Sequence, residues 1–238
     1  MWFRRLARQA RYRALSRYQY YRAGQLKGRA KQRRRDLAKA LLKVPCDLEF
    51  RDAMEAARGL PAVDLGANFG EVAQRLAETA SVVHAFEPDP WTASRLRANV
   101  GHLPNVVIHE AAAGAEAGEI ELFRHVDFDE STGRHCESAT VVAAKDGADR
   151  GNSVRVPMLA VPEFLETLGP EIGILKIDIE GAEVALMEAL LEHPVLARVR
   201  YVFVETHEDK IPELAARTAA LKRRVRWMRH PHVNMNWW

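Results

Sequence analysis

The sequence AVDLGANFG at residues 62–70 is the clearest indicator of the fold. Its first four residues form a short, mostly apolar run that predicts a strand, and the spacing of residues 71–78 predicts a helix. Between them, Gly66 and Gly70 allow positive φ values and a close approach of a ligand to the backbone. Backbone N–H groups at a helix start favour an anionic group such as a carboxylate. The stretch therefore predicts a strand–turn–helix unit with a ligand site at the turn.

Further strands and helices alternate along the chain on both sides of this unit. Such alternation predicts an α/β fold with a mostly parallel sheet and helices on both faces. We predict strands at residues 62–65, 82–86, 106–108, 119–123, 154–159, 172–179, 200–205 and 225–228, and helices at residues 47–59, 71–78, 91–100, 162–168, 182–191 and 211–223.

Polar residues follow several of the predicted strands at the point where each strand ends. Ligands of parallel α/β sheets bind at the carboxyl ends of the strands. Glu87 ends the second strand 21 residues after Gly66, and an acid at this spacing can accept hydrogen bonds from the two hydroxyls of a ribose. The spacing alone also fits NAD. However, the turn has the pattern G-x-N-x-G and lacks the third glycine that seats a pyrophosphate.

Five segments together carry a family resemblance: VDLGANFGEVA, FEPDPWTASRLRANV, EAAAG, ILKIDIEGAE and YVFVETH. In this order and spacing, over residues 61–209, they resemble the FkbM family of methyltransferases that use S-adenosyl-L-methionine (SAM). The resemblance implies a Rossmann-like class I methyltransferase with a mostly parallel, seven-stranded sheet. It also implies a cofactor site in which Asp64, Gly66, Asn68 and Gly70 line the methionine end, Glu87 holds the ribose and Ala112 lies beside the adenine.

The candidate catalytic residues are Asp178, Glu180, Glu205 and His207, two pairs with the same two-residue spacing after adjacent strands. In the interpretation that we favour, His207 or Asp178 is the general base that removes the proton of an acceptor hydroxyl. In a second, less favoured interpretation, Asp178, Glu205 and His207 bind a divalent metal such as Mg²⁺ or Mn²⁺. In a third, these side chains cap helices and hydrogen-bond loops. Our predicted site contains no metal.

The charge of the chain is very unevenly distributed. Residues 1–43 hold 15 of the 35 Lys and Arg residues, one acid (Asp36) and four of the five tyrosines, so this segment carries +14 and the rest −11. We predict a basic, aromatic N-terminal helical arm at residues 1–44 and a methyltransferase domain at residues 45–238. The arm suits peripheral contact with an anionic membrane or, as a less favoured alternative, a nucleic acid. Equally, it suits a solvated or packed extension.

The function predicted from the sequence is SAM-dependent O-methylation of a hydroxyl on a sugar, a glycan or another small metabolite. The preference for oxygen comes from the family resemblance. Two alternatives remain open: methylation of RNA through the basic arm, and binding of SAM or a nucleotide without catalysis. Two separated cysteines, Cys46 and Cys136, and no visible secretion signal predict a cytoplasmic protein, which the arm would bring to the inner face of the membrane. The polar segment 125–152 is the candidate for acceptor selection, and we expect the Trp237-Trp238 tail to pack on the body.

Overall fold

The computed structural model describes residues 2–129 and 148–237. The chain divides into two compact units, one of Met1–Ala53 with Trp237–Trp238 and the other of Met54–Asn236. Cys136 and most of the segment predicted to select the acceptor lie outside the described residues. Trp238 does as well.

Two helices, α1 (Trp2–Gly24) and α2 (Gly28–Ala56), occupy the N-terminal region. Small buried residues lie where α1 and α2 meet, and the hydroxyl of Ser16 donates a hydrogen bond to the carbonyl of Ala38 at 2.8 Å. The predicted helix at residues 47–59 is the end of α2, which continues through Pro45. The predicted domain boundary at residues 44–45 therefore falls inside a helix. The ring of Trp237 packs against Phe50 with a centroid distance of 5.3 Å.

The second unit alternates strands and helices as the sequence predicts. In chain order after α2 the labelled elements are β1 (Ala62–Leu65), α3 (Glu71–Ala77), β2 (Val83–Phe86), α4 (Pro90–Val100), β3 (Val106–His109), β4 (Ala112–Gly114), β5 (Gly118–His125), β6 (Ala148–Ala160), α5 (Val161–Glu166), β7 (Ile172–Ile177), α6 (Glu183–Glu192), β8 (Val199–Val204), α7 (Ala215–Val225) and β9 (His232–Asn234).

The main sheet has the strand order β3-β2-β1-β7-β8-β9, and all its neighbouring strands are parallel. Every residue of β1 and β7 is buried, so both faces of the sheet are covered at its centre. The order reverses direction between β1 and β7, which places the carboxyl ends of these strands at a switch point where ligands bind. The predicted α/β class is confirmed.

The main sheet has six strands among the described residues, whereas the family resemblance implied seven. The strand predicted at residues 225–228 is wrong, because α7 extends to Val225 and the last strand forms later, at β9. Thr218, Leu221 and Val225 are the buried residues of α7, and their spacing is helical. The apolar character of Val225 therefore belongs to a helix face.

The strands predicted at residues 119–123 and 154–159 exist, but they form a separate sheet with the order β4-β6-β5. Strand β5 pairs antiparallel with β6, while β4 pairs parallel with it. Leu122, Val156 and Ala112 form a small apolar cluster of their own. None of the helices in the described ranges is long and apolar enough to cross a membrane.

Candidate active site

The turn after β1 is shaped by three residues with positive φ: Gly66 at +74°, Asn68 at +49° and Gly70 at +91°. A Cβ at Gly66 would overlap the carbonyl oxygen of Asp178, so glycine is required where the turn passes the end of β7. This close approach brings the predicted cofactor turn and the predicted catalytic residues together.

The backbone N–H groups of the turn are engaged within the chain. Gly66 and Ala67 both donate to the carbonyl of Phe86, at 3.0 and 2.8 Å, and Asn68 donates to the Glu87 carboxylate at 2.9 Å. The carboxylate contact expected at this helix start therefore has no support from the backbone of Gly66, Ala67 or Asn68. These hydrogen bonds instead hold the backbone of the turn in a fixed position next to the ends of β2 and β7.

Glu87 follows β2 and is almost completely buried. One carboxylate oxygen accepts from the N–H of Asn68 and the other from the N–H of Asp89, at 3.1 Å. A carboxylate has about four acceptor positions, so capacity remains for two ribose hydroxyls. Burial raises the pKa of Glu87 to about 7, although these two hydrogen bonds act in the opposite direction. The site therefore fits the ribose of SAM at this residue.

Asp64 and Lys176 lie opposite each other in β1 and β7, and both are buried. The ammonium Nζ of Lys176 lies 3.0 Å from Oδ1 of Asp64 and 3.6 Å from Oδ2 of Asp178, and it donates to the carbonyl of Gly66 at 2.6 Å. Oδ2 of Asp64 is buried and receives no hydrogen bond of normal geometry from the described residues, although the backbone N–H of Ala73 is close enough to act on the pKa of this carboxyl. This acceptor suits the amino group at the methionine end of SAM.

Burial raises the pKa of Asp64, and the positive charge of Lys176 opposes this shift. For Lys176 burial acts to lower the pKa, but Asp64 and Asp178 outweigh it and the pKa is raised. Both directions reflect a charge pair removed from water. Lys176 is absent from the site predicted from sequence, although a lysine between apolar residues in the run Ile174-Leu175-Lys176-Ile177 was a usable signal.

The four predicted catalytic residues follow β7 and β8. Nε2 of His207 lies 3.3 Å from Oε2 of Glu180 and 3.7 Å from Oδ1 of Asp178. The two-residue spacing of Asp178 and Glu180 is not an alternation along a strand, since β7 ends at Ile177 and Glu180 lies in a turn with φ of +50°. Glu205 follows β8 directly, with its N–H bonded to the carbonyl of Ile177 at 2.9 Å.

Glu183, in the first turn of α6, holds His207 from the other side and is completely buried. Its Oε1 accepts from the backbone N–H of His207 at 3.0 Å and lies 3.2 Å from Nδ1 of the ring, while its Oε2 accepts from the N–H of Gly181 at 2.7 Å. Sequence reasoning did not place Glu183 in the site. Because α6 also contains Glu188 and Glu192, no feature of the sequence distinguishes Glu183 from them.

The electrostatics of the cluster separate His207 from Glu205. Burial acts to lower the pKa of His207, but the carboxylates of Glu180 and Glu183 outweigh it and raise that pKa to about 10. Burial, and next the charge of Asp178, raise the pKa of Glu205 to about 7. His207 therefore carries a proton at neutral pH when no other cation is present, which argues against our prediction that it is the general base.

Ala112 lies in β4, where it pairs with Met158 and packs with Leu122 and Val156. Its predicted position beside the adenine stays a prediction. Of the other predicted cofactor residues, Asp64 lies in β1, the glycines and Asn68 lie in the turn after it, and Glu87 directly follows β2.

A parallel sheet with a turn of this kind at its switch point, and acids beyond the neighbouring strands, is the arrangement in which α/β proteins bind nucleotide-like cofactors. Residues 64–233 match the family model of the methyltransferase FkbM domain. This match covers more than half of the chain, so the protein belongs to the FkbM methyltransferase family. The membership supports the use of SAM.

No curated protein matches the sequence significantly. Among solved structures, the chain is similar to precorrin 8w decarboxylase from Methanobacterium thermoautotrophicum, with 18% identity, a TM-score of 0.30 and coverage of 56% of this chain and 47% of that one. It is also similar to a protein from Listeria monocytogenes assigned as an S-adenosylmethionine-dependent methyltransferase, with 13% identity, a TM-score of 0.25 and coverage of 52% and 79%. The chain spans about half the length of the first of these proteins. Similarity at this level carries no conclusion about function.

Proposed function

We propose that this protein transfers the methyl group of SAM to a hydroxyl group of a sugar, a glycan or another small metabolite. The observation that carries the proposal is the convergence of Asp178, Glu180, Glu205 and His207 beside the Gly66 turn. When bound, SAM supplies a methyl group activated by a sulfonium. The chain has to align the acceptor with that methyl group and remove the acceptor's proton.

The donor side of the site rests on two buried acids. The carboxylate of Glu87 accepts the ribose hydroxyls, and Oδ2 of Asp64 accepts the amino group. The carbonyl of Phe86 and the side chain of Lys176 fix the backbone of the turn between them. The donor is therefore held at the carboxyl ends of β1 and β2, next to the residues that follow β7.

We assign the role of general base to Glu205 because its carboxylate, unlike those of the other acids, is not held by neighbouring side chains in the described part of the chain. Asp178 pairs with Lys176, and Glu180 pairs with Lys210 and His207. The carboxylate of Glu205 has no hydrogen bond or ion pair with any described residue, so it is available to a ligand. The acceptor oxygen gains the methyl group and gives its proton to this carboxylate, a transfer that contributes about 10²–10⁴-fold to the rate.

The acceptor class is tested with SAM labelled in its methyl group. The full-length chain is incubated with separated cell fractions under single-turnover conditions, and the label is followed into glycan, lipid, RNA and small molecules. We expect label in glycans or small molecules, bound through an ether linkage that resists mild base. Label in RNA would replace the proposal by the RNA-directed alternative. SAM binding without transfer to any fraction would favour a non-catalytic binder.

The base is tested by Glu205→Gln once an acceptor fraction is known. We expect the single-turnover rate to fall about 10²–10⁴-fold while the dissociation constant for SAM, measured by calorimetry, stays the same. Asp209→Asn is the matched control, because this acid lies on the same connection but is exposed. A Glu205→Gln variant with the native rate would remove Glu205 from the mechanism.

A further inference from the structure

The ring of His207 is held in a way that the proposed methyl transfer does not explain. Its side chain is only 2% exposed, and Nδ1 lies 3.2 Å from the fully buried carboxylate of Glu183. Nε2 is buried and has no hydrogen bond from the described residues. Instead it points toward the oxygens of Asp178 and Glu180, which lie at ion-pair distances.

Three donor atoms meet in front of this ring. One oxygen of Asp178, one oxygen of Glu180 and Nε2 of His207 all lie within 4.8 Å of one another. Donors that bind one ion at about 2.0–2.2 Å are separated by about 2.8–4.2 Å. The separations of 3.3 and 3.7 Å from Nε2 fall in this interval, and the two carboxylate oxygens lie within 4.8 Å of each other. The three atoms can therefore contact one ion with small adjustments.

Glu183 supplies the support that such a ligand requires. Histidines that bind metals almost always donate their other ring N–H to a carboxylate or a carbonyl, which fixes the tautomer and the ring orientation. Here the carboxylate of Glu183 stands opposite Nδ1 and also holds the backbone N–H of His207. The ring then presents the lone pair of Nε2 to Asp178 and Glu180.

Two lysines lie next to these donor atoms, one buried and one partly exposed. Lys176 lies on the other oxygen of Asp178, Oδ2, while Oδ1 faces His207. Nζ of Lys210 lies 3.4 Å from Oε2 of Glu180, the oxygen that also faces His207, but its side chain is 44% exposed and can turn toward solvent. Carboxylates outnumber the cations in the cluster, so a divalent ion reduces an excess of negative charge.

We infer that Asp178, Glu180 and His207 form a binding site for a divalent cation of the Mn²⁺ class. Two carboxylates suit Mg²⁺, Ca²⁺ and Mn²⁺, and the imidazole shifts the preference from Mg²⁺ and Ca²⁺ toward a transition metal. Bound by these three side chains, such an ion would lie close to Glu205. Its use in orienting the acceptor's hydroxyl rests on the proposed function, whereas its binding does not.

The site is tested by titrating the metal-depleted, full-length chain with Mn²⁺ and following the electron paramagnetic resonance signal of the free ion. We expect one bound Mn²⁺ per chain, with neither SAM nor acceptor present. Glu180→Gln should weaken Mn²⁺ binding at least about 10-fold. Even substitutions of residues that only support metal ligands typically lower metal affinity by about 10–100-fold. Asp209→Asn, an exposed acid two residues from His207, should bind as the native chain does.

Thermal unfolding with and without Mn²⁺ shows that the variants are folded. The native chain and Asp209→Asn should unfold at a higher temperature with Mn²⁺, while Glu180→Gln should unfold cooperatively with no such shift. Asp178→Asn gives the same test at a second ligand if Glu180→Gln does not fold. Failure of Mn²⁺ to bind the native chain at millimolar concentration overturns the inference, as does a folded ligand variant with native affinity. Either result leaves the proposed methyl transfer intact, because that is measured by the labelling experiment.

Discussion

Lys176 shows how a single buried charge connects the two halves of the site. It contacts Asp64 on the donor side, the carbonyl of Gly66 in the turn and Asp178 on the acceptor side. A lysine in a central strand is costly to bury unless it is paired, and these contacts provide the pairing. Lys176 is therefore a positioning residue that holds the turn against the end of β7.

We expect Lys176→Met to destabilise the protein by about 3–5 kcal/mol, because it leaves the charge of Asp64 buried without its partner. The double variant Asp64→Asn/Lys176→Met should recover a large part of that loss. Urea unfolding of the native chain, both single variants and the double variant measures the coupling. Additive losses would show that the two side chains do not form a pair that matters for stability.

Glu87 provides a test of the donor site through pH. Its pKa is raised to about 7, so it gains a proton as the pH falls from 8 to 6. Hydroxyls donate to the carboxylate form, and the affinity for SAM should therefore fall by about 10-fold at pH 6, one unit below the pKa. In Glu87→Gln the affinity should be weaker at pH 8 and change little with pH. Calorimetry with SAM at both pH values gives the comparison, and equal pH dependence in the two chains would contradict the role of Glu87.

At the residue scale the sequence predicts positions better than roles. Glu87 and the acids after β7 and β8 were found because they follow strands of a parallel sheet, and the structure brings Asp178, Glu180 and His207 together. The proton affinity of His207 could not be predicted. It depends on Glu183, which approaches from α6, and on a turn with positive φ at Glu180. Neither feature has a distinct signature in a single sequence.

At the scale of elements, length decided what could be predicted. Strand β1 matches its prediction residue for residue, and β7 was recognised because its apolar run is too long to miss. Strands β4 and β9 have three residues each, too few to show a period of two, and they were missed. Strands β5 and β6 belong to a second sheet and not to the main one. This could not be predicted, because a single sequence does not specify which strands pair with each other.

The turn between β1 and α3 gives a prediction about how elements pack. A Cβ at Gly70 would lie 2.8 Å from Leu96 and 2.9 Å from Val100, both in α4, while a Cβ at Gly59 would meet open space. Both glycines have positive φ, +91° and +83°, so alanine costs about 1–2 kcal/mol of backbone strain at either position. Overpacking adds about 1–3 kcal/mol at Gly70 alone.

Gly70→Ala should therefore lower the free energy of unfolding in urea by about 2–5 kcal/mol, and Gly59→Ala by clearly less. Equal losses in the two variants would mean that α4 moves away from the turn without cost. Such a result would contradict the view that this turn is held by close packing.

At the scale of the whole molecule, the N-terminal segment differs most from the rest of the chain. Residues 1–43 carry +14, and α1 exposes Tyr18 and Tyr21, which are 52% and 68% accessible. Arg17 and Arg22 of the same helix are exposed as well. Exposed aromatic and basic side chains on one helix suit the headgroup region of an anionic membrane. We propose that this segment brings the enzyme to such a surface.

The full-length chain should sediment with vesicles that contain phosphatidylserine at low salt. Each basic residue near the surface contributes about 1 kcal/mol, and screening weakens this attraction as salt is added. Binding should be lost in 0.5 M salt and reduced by the double variant Arg17→Glu/Arg22→Glu, and vesicles of phosphatidylcholine alone should retain little protein. Equal retention on both kinds of vesicle, or none at low salt, would exclude an electrostatic membrane contact. Salt-sensitive binding to RNA with no binding to vesicles would mean that this basic segment contacts a nucleic acid instead. The same basic residues would then neutralise phosphates, and the exposed aromatic side chains would stack on bases.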